Sequence, residues 1–263
     1  MNNKKMMPLI KACNISKSFP GVSALVDISL EVYPGEVFCL LGDNGAGKST
    51  FIKILSGVFQ QSRGDLFFNG AKISLKSSRD AIKLGIMTVY QDLAMFPLMS
   101  VERNFIVGSE PSAGWGIFKI LDFKKMEQNT RNGLNSIGIN IKDISRMINT
   151  LSGGERQTVA IARMEHQGAK LLILDEPTSA LGVKESAIVL NYIIKARNRG
   201  LGIILITHNV NHALAVGDQF AILDHGQLVG VYNESEVNES KLNFLMSGGE
   251  DFEKLKKELK KDK

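Results

Sequence analysis

The sequence predicts an α/β fold with a mostly parallel core sheet, an N-terminal antiparallel β-subdomain and an inserted α-helical subdomain. The core prediction rests on three uninterrupted apolar runs of strand length, which are typical of strands buried on both faces of a parallel sheet. These runs are VFCLL at 37–41, LLIL at 171–174 and GIILI at 202–206. The amphipathic segment from Lys184 to Arg199 predicts a helix between the last two runs, and this order favours parallel pairing.

The other two parts follow from local patterns. Short alternating runs from Leu9 to Gly70, broken by turn dipeptides, predict antiparallel strands. Between about residues 92 and 168 the β-branched runs fade and helical signals replace them, with Asp122 as an expected N-cap. A hairpin is predicted at 219–232, with its turn at Asp224 to Gly226.

Composition excludes several classes of protein. The 263 residues are 44% hydrophobic and 22% charged, which excludes a disordered or collagen-like chain. The net charge of +5 is mild and lacks the density of a nucleic-acid-binding arm. Two cysteines, Cys13 and Cys39, are too few for a disulfide framework and fit a reducing cytosol. Apolar stretches are too short for a signal peptide or a membrane span of about 18 residues, so we expect neither.

One glycine-rich segment carries the strongest chemical signal. GDNGAGKST fits the pattern G-x-x-x-x-G-K-[ST] and lies between a predicted buried strand and a predicted helix. Its glycines let backbone N–H groups point at phosphate oxygens beside the positive end of the helix dipole. Lys48 would bridge the β- and γ-phosphates, and Ser49 would offer a hydroxyl to Mg²⁺. The alternative is an ordinary glycine-rich turn with a surface lysine. The probability that such a turn matches the pattern by chance somewhere in the chain is on the order of one percent. The predicted phosphate-binding residues are Gly42, Asp43, Asn44, Gly45, Ala46, Gly47, Lys48, Ser49 and Thr50.

An acid pair ends the second apolar run. Asp175 and Glu176 are expected at the carboxyl edge of the sheet, beside the phosphate loop of a neighbouring strand, where ligands bind. Asp175 can hold Mg²⁺ through water, and Glu176 can polarise the water that attacks the γ-phosphate. Alone, such a pair is more often a turn than a site, but the upstream loop favours a site.

A second anion site is predicted at LSGGERQ. Its Ser-Gly-Gly turn opens a helix, so Ser152, Gly153 and Gly154 offer a hydroxyl and backbone N–H groups to a phosphate. Ser152 as a plain N-cap with Glu155 as its capping-box partner explains the same residues, and both roles can coexist.

In this order the motifs resemble those of the ATP-binding subunit of an ABC transporter, over residues 8–246. GDNGAGKST is similar to the Walker A loop, LSGGERQ to the ABC signature and LLILDE to Walker B. Gln91 in TVYQD resembles the Q-loop glutamine, SALG at 179–182 the D-loop, and His208 in LITHN the switch histidine. The strings ISKSFPGVSAL and ALGVKES look most like the monosaccharide branch of carbohydrate importers, of the ribose, xylose and fructose type.

The resemblance implies a P-loop ATPase fold that binds ATP and Mg²⁺ and hydrolyses ATP. The implied catalytic residues are Glu176, His208, Lys48 and Gln91. The implied magnesium-binding residues are Ser49, Gln91 and Asp175.

Three further residues are interpreted through the resemblance. Phe19 would stack on adenine and Val22 would add an apolar contact, although plain packing is about as common for such a Phe. Gly182 stands where most members have an Asp that ties two subunits together. Because similar sugar-import ATPases share ALGVKES, we interpret Gly182 as a subfamily trait.

The implied domains follow the motifs. An ATPase core with the antiparallel β-subdomain would span 1–90 and 169–246, and a helical subdomain with the signature would span 91–168. A charged tail would follow at 247–263. Its Glu250/Lys254 and Glu253/Lys257 pairs fit a solvated helix or a frayed end equally well.

The implied partners are a second copy and a membrane complex. A single motif set implies a homodimer across two ATP sites, with Ser152 and Gly154 completing the partner copy's site. A polytopic permease, and through it a sugar-binding protein, would place the chain peripherally at the cytoplasmic face of the cell membrane. Met95, Phe96 and Met99 are candidates for contacting the permease, and subdomain core is an equal alternative.

Two other functions remain open. A soluble ABC ATPase acting on ribosomes or DNA is disfavoured because the sequence has no basic stripe with interleaved aromatics, and we expect no nucleic-acid partner. An ABC exporter subunit is disfavoured only by the subfamily strings.

Overall fold

The computed structural model describes residues 7–113, 120–136, 138–139 and 141–249. These ranges contain twelve β-strands and eight α-helices. The strands are β1 (Ile10–Phe19), β2 (Val22–Val32), β3 (Val37–Leu41), β4 (Arg63–Phe68), β5 (Ala71–Ile73), β6 (Ile86–Val89), β7 (Ser112–Ala113), β8 (Ile120–Leu121), β9 (Leu171–Asp175), β10 (Gly202–Ile206), β11 (Gln219–Asp224) and β12 (Gln227–Asn233). The helices are α1 (Lys48–Leu55), α2 (Ser78–Leu84), α3 (Val101–Ile106), α4 (Phe123–Ser136), α5 (Gly153–His166), α6 (Val183–Asn198), α7 (Val210–Val216) and α8 (Glu239–Met246).

The core sheet has six strands in the order β12-β11-β3-β10-β9-β6. Its neighbours pair in parallel, except for the antiparallel hairpin of β11 and β12. The three apolar runs form β3, β9 and β10, which are buried along almost their whole length. The predicted core strands, their parallel pairing and the hairpin turn after Asp224 are therefore confirmed.

One expected relation in this sheet is wrong. β3, which leads into the glycine-rich loop, and β9, which ends at the acid pair, are not neighbours. The chain returns through α6 into a position between them, so Ile203 of β10 pairs with Val37 and Leu172 on its two sides. Because the strands are parallel, the loop and the acids still lie at the same edge of the sheet.

The antiparallel β-subdomain is a second sheet, in the order β2-β1-β4-β5. Its strands pair antiparallel throughout, as predicted. Phe51 and Ile54 of α1 are buried in one cluster with Ile28 of this sheet and Ile204 of the core sheet. Helix α1 is thus fixed between the two sheets, and the loop that precedes it is fixed with it.

The opposite face of the core sheet carries the helical part. Alternate residues of β3 enter two different clusters, with Phe38 and Leu40 in one and Cys39 in the other. The second cluster holds residues of α3, α4, α5, α6 and α7. Asp122 caps α4 as predicted, because its Oδ1 accepts the Lys125 N–H at 3.0 Å. The short β7–β8 ladder within the helical segment has no signal in the sequence.

Two expectations concern other parts of the chain. Within the described ranges, every helix is too short or too polar to cross a bilayer. The Glu250/Lys254 and Glu253/Lys257 pairs of the tail lie outside the described residues.

Candidate functional site

The glycine-rich loop joins β3 to α1 and is fixed at both ends. Gly42 has φ 148°, and a Cβ there would lie 2.2 Å from the carbonyl oxygen of Leu223. Gly47 has φ 103° and is the N-cap of α1, where a Cβ would lie 2.9 Å from the carbonyl oxygen of Ala24. Larger residues do not fit either position. The carbonyl of Ala46 also accepts the Gly226 N–H at 3.0 Å, so the hairpin and the β-subdomain both hold the loop.

Lys48 lies at the end of this loop and is only 8% exposed. Its Nζ donates to the carbonyl oxygens of Gly42 at 2.7 Å and Asp43 at 2.9 Å. Burial lowers the pKa of Lys48, while the negative charges of Glu176, Asp43 and Asp175 oppose that shift. The loop cation and the acid pair therefore act on each other across the edge of the sheet, although β10 separates their strands.

Glu176 follows β9 with a left-handed backbone, φ 49°, and its N–H donates to the carbonyl of Ile206 at 2.9 Å. Its Oε1 accepts the backbone N–H of His208 at 3.0 Å and lies 2.8 Å from the Nδ1 of the same residue. Its Oε2 is buried and has no hydrogen-bond partner among the described residues. Leaving a carboxylate oxygen buried and unpaired is costly, so this atom is free to accept a hydrogen bond.

Asp175 is half-buried beside Glu176. Burial raises the pKa of Asp175, the negative charge of Glu176 raises it further, and the cations of Lys48 and Lys53 lower it. Lys53, on α1, has no place in the motifs and was not predicted. The carboxyl of Asp175 therefore lies between a like charge and two cations, as expected of a group that binds a cationic ligand.

Gln91 lies two residues after β6, at the same edge of the sheet. Its Nε2 is 3.5 Å from the hydroxyl of Ser179, which follows the acid pair. The structure thus brings Lys48, Asp175, Glu176, His208 and Gln91 to one edge. A hydroxyl on Ser49, which is exposed in the first turn of α1, completes an oxygen-rich set.

The second predicted anion site forms a capping box. Ser152 Oγ accepts the Glu155 N–H at 3.3 Å, and Glu155 Oε2 accepts the Ser152 N–H at 2.8 Å. A Cβ on Gly153 would lie 2.7 Å from Leu181 Cδ2, and one on Gly154 3.0 Å from Glu185 Cβ. The two glycines therefore let α5 approach α6 closely, and this packing role is independent of any anion.

The predicted adenine contacts lie in the first hairpin. Phe19 ends β1, Val22 begins β2, and they pair in register. Phe19 is 36% exposed, and its ring meets that of Phe59 edge-on at 5.4 Å. Lys17 Nζ lies 5.1 Å from the centre of the Phe19 ring. Packing against Phe59 therefore accounts for part of the Phe19 ring. Stacking of the exposed part on adenine stays a prediction.

Sequence reasoning missed one contact next to the acid pair. The Thr178 hydroxyl lies 2.8 Å from the Nδ1 of His212, one helical turn after His208. The four-residue spacing of the two histidines was the available signal.

Comparison with known proteins agrees with this geometry. The family model described as ABC transporter matches residues 25–179. A xylose/arabinose import ATP-binding protein of Sulfolobus acidocaldarius is 41% identical, over 92% of this chain and 95% of that protein. A fructose import ATP-binding protein of Rhizobium meliloti is 40% identical, over 93% of this chain and 95% of that protein.

A solved structure supports the fold. An ATP-binding cassette of an ABC transporter in its ADP conformation superposes with a TM-score of 0.78. It covers 92% of this chain and 96% of its own, at 22% identity. With the family match over more than half of its length and the full-length relatives, the chain belongs to the ABC transporter family.

Proposed function

We propose that this chain is the ATP-hydrolysing subunit that powers monosaccharide import through a membrane permease. The observation that carries hydrolysis is the geometry of Glu176. His208 fixes its Oε1 through two atoms, and its Oε2 is buried with no partner in the described part of the chain. The observation that favours sugar import is that both relatives named above are sugar-import ATP-binding proteins.

ATP binds at the glycine-rich loop. The first N–H groups of α1 have no helical partner and suit the phosphates, together with the loop amides. Lys48 now donates to the neutral carbonyls of Gly42 and Asp43, and phosphate oxygens would accept stronger, charge-assisted bonds. The negative charge of the phosphates offsets the burial that lowers the pKa of Lys48, so its ammonium stays charged. Phe19 and Val22 contact the adenine.

Mg²⁺ fits the oxygen donors at this edge. Among the described residues no three His, Cys, Asp or Glu side chains cluster as a metal site. An ion here would take its remaining ligands from the nucleotide. Ser49, Asp175 and Gln91 would supply the protein oxygens, and the chemistry that the ion would add is neutralisation of phosphate charge. A bound cation would offset both the burial that raises the pKa of Asp175 and the charge of Glu176 that raises it further.

Glu176 acts on water. Its unpaired Oε2 accepts a hydrogen bond, and then the proton, from the water that attacks the γ-phosphorus, while the bond from that phosphorus to the β-phosphate oxygen breaks. His208 keeps Oε1 occupied and so keeps Oε2 available. Gln91 lies where the sheet edge meets the helical segment and senses the bound nucleotide.

Two copies form the complete enzyme. Ser152 is exposed at the N-terminus of α5, and its turn offers Gly153 and Gly154 N–H groups to the nucleotide of a partner copy. The Ser152 hydroxyl already accepts the Glu155 N–H, but it keeps a donor proton and a second lone pair for a phosphate. ATP then joins the two copies, and its hydrolysis releases them.

A cavity of about 330 Å³ beside Gln91 is the contact with the permease. Its lining includes the apolar side chains Leu93, Met95, Pro97 and Ile148, as expected for a groove that receives an amphipathic helix. Exposed apolar side chains lie next to these lining residues along the chain: Phe96, Leu98, Met99 and Met147. Met95 is partly buried and also packs against the main core, so both alternatives apply to it.

The test uses Glu176→Gln, with Glu127→Gln as the matched control on the exposed face of α4. In the described part of the chain Glu127 forms an ion pair with Arg131 at the surface, so its change should leave turnover unaltered. Glu176→Gln should bind ATP normally and hydrolyse it at least about 100-fold more slowly. Turnover like that of the native chain would contradict the hydrolytic assignment.

The transport assignment is tested with the same variant. Trapped with Mg-ATP, Glu176→Gln should co-purify from detergent-solubilised membranes of its own cell with a polytopic permease and a sugar-binding protein. Ribosomal proteins or DNA-bound factors in their place would contradict transport. A permease without a binding protein would contradict import.

A further inference from the structure

Thr178 and His212 form a second contact between the two turns that carry Glu176 and His208. The Thr178 hydroxyl lies 2.8 Å from His212 Nδ1, and neither residue belongs to the motifs described above. We propose that His212 is a positioning residue for hydrolysis: through Thr178 it holds the segment that carries Glu176 against the turn that carries His208. This inference rests on the proposed function of Glu176.

On one side of the contact, residues 176–181 form a compact turn. The N–H and hydroxyl of Ser179 donate to the Glu176 carbonyl at 3.2 and 3.0 Å. The Leu181 N–H donates to the Thr178 carbonyl at 3.2 Å. Because these bonds tie Glu176 and Thr178 into one unit, a contact made at Thr178 also fixes Glu176.

On the other side, His212 is tied to the turn after β10. The His212 N–H donates to Asn209 Oδ1 at 3.0 Å, and the Asn209 N–H donates to Thr207 Oγ1 at 3.0 Å. His212 therefore keeps a fixed position relative to His208. The contact of His212 with Thr178 therefore adds to the bonds that Glu176 makes with Ile206 and His208, and it holds the segment at a point two residues further along.

Burial and strain explain why this second contact matters. Thr178 is 5% exposed, so without His212 its hydroxyl would lose the hydrogen-bond partner that it has in the described structure, at a cost in stability. Glu176 has φ 49°, a conformation that non-glycine residues hold only when their surroundings impose it. Loosening the turn would let Glu176 relax and lose its alignment with His208.

The chemistry of the ring suits a positioning role. Burial lowers the pKa of His212, the nearby His208 lowers it further, and the charge of Glu176 opposes both. His212 is therefore neutral at neutral pH and adds a hydrogen bond without placing a cation beside Glu176. A cavity of about 220 Å³, lined by Glu176, Thr178, His208 and His212, leaves room for the turn to shift when the contact is lost.

The expected effect is on turnover and not on nucleotide affinity. One hydrogen bond of ordinary strength corresponds to a change of about three- to tenfold in the population of the aligned turn. The glycine-rich loop makes no bond to Thr178 or His212 among the described residues, so the KM for ATP should stay within about twofold.

The experiment compares ATP turnover of the full chain in five variants: Thr178→Val, Thr178→Ser, His212→Ala, the Thr178→Val/His212→Ala double variant, and Asn211→Ala. Asn211→Ala is the matched control, because Asn211 is exposed on the same helical turn and bonds only to Glu239 in the described structure. Thermal unfolding of each variant shows whether it is folded.

We expect Thr178→Val and His212→Ala each to lower kcat about three- to tenfold at unchanged KM, with Thr178→Ser and Asn211→Ala near the native value. The double variant should be no slower than the slower single variant, because both changes remove one contact. Native kcat in both single variants, additive losses, or a loss in Thr178→Ser equal to that in Thr178→Val would overturn the inference. If His212→Ala does not fold, the comparison of Thr178→Val with Thr178→Ser tests the inference by itself.

A Glu176→Gln measurement in parallel separates this inference from the function on which it rests. If Glu176→Gln is inactive while Thr178→Val and His212→Ala turn over normally, only the positioning role fails. If Glu176→Gln turns over normally, the hydrolytic assignment of Glu176 fails, and the positioning role fails with it.

Discussion

Gly42 and Leu223 approach so closely that a Cβ on Gly42 would lie 2.2 Å from the Leu223 carbonyl oxygen. Gly42 also has φ 148°, a conformation that residues with a side chain rarely adopt. We therefore expect Gly42→Ala to displace the start of the phosphate loop, to lower the free energy of unfolding by about 1–3 kcal/mol, and to weaken nucleotide binding. Urea unfolding and a nucleotide titration would measure the two effects.

Gly200→Ala is the control for this prediction. Gly200 has φ 95° and no atom within 4 Å of its ideal Cβ position, and it lies at the far end of α6. Its substitution should cost about 1–2 kcal/mol through backbone strain and leave nucleotide affinity unchanged. Equal affinity in the Gly42 and Gly200 variants would show that the contact with Leu223 does not shape the loop.

Lys48→Met is expected to weaken ATP binding about 10- to 100-fold, because it removes a charge-assisted bond to phosphate while keeping the length of the side chain. Its effect on stability should be small. The lost bonds to the Gly42 and Asp43 carbonyls are offset by removal of a charge whose burial lowers its pKa. Equilibrium binding of a fluorescent ATP analogue measures the loss.

Lys72→Met is the matched control for this variant. Lys72 is exposed, and its ion-pair partner among the described residues is Asp65, at the surface of the β-subdomain. A comparable loss of ATP affinity in both variants would mean that net charge, and not the position of Lys48, governs binding.

The sequence predicts those parts of this site whose signal is local. The apolar runs of β3, β9 and β10 fix the core strands, because strands buried on both faces contain few polar residues. The glycine-rich loop and the acid pair follow directly from the ends of two of those strands. Capping of α4 by Asp122 and of α5 by Ser152 is equally local.

What the sequence did not predict depends on contacts between distant segments. β10 lies between β3 and β9 in the sheet. An apolar run predicts a buried strand but does not say which strands are its neighbours. Phe59 beneath Phe19, and Lys53 beside Asp175, are set by the docking of α1 between the two sheets. The contact of Thr178 with His212 likewise joins residues 34 positions apart.

Glu36 gives a prediction on pH. Its carboxyl is 8% exposed, and burial raises its pKa to about 7, with the negative charge of Asp218 adding to the shift and the bond from the Tyr33 N–H at 2.7 Å opposing it. In the unfolded chain the pKa is about 4.3, so between these values the folded state binds more protons. Stability contributed by Glu36 is therefore present at low pH, falls as the pH rises towards 7, and stays constant above it.

Glu36→Gln should remove this dependence, because an amide stays neutral and can still accept the Tyr33 N–H. The free energy of unfolding of the variant relative to the native chain should rise between about pH 5 and pH 8, by at most about 3 kcal/mol. Urea unfolding of both proteins at the two pH values measures this difference. Because the other titrating groups are the same in both proteins, their contributions cancel. Parallel stability curves would show that Glu36 titrates normally in the folded protein.

Leu98 tests the proposed permease contact. It is 77% exposed and directly follows Pro97, which lines the cavity beside Gln91, and burying such a side chain contributes about 1.5–3 kcal/mol. Leu98→Glu should therefore reduce permease capture by about tenfold or more, since a buried unpaired charge adds to the lost apolar contact. ATP hydrolysis by the isolated chain should persist, because Leu98 lies outside the phosphate loop and the acid pair.

Ile82→Glu, at a 53% exposed apolar position on α2, is the matched control and should leave permease capture unchanged. Equal capture of the permease by both variants would place the contact elsewhere on the surface.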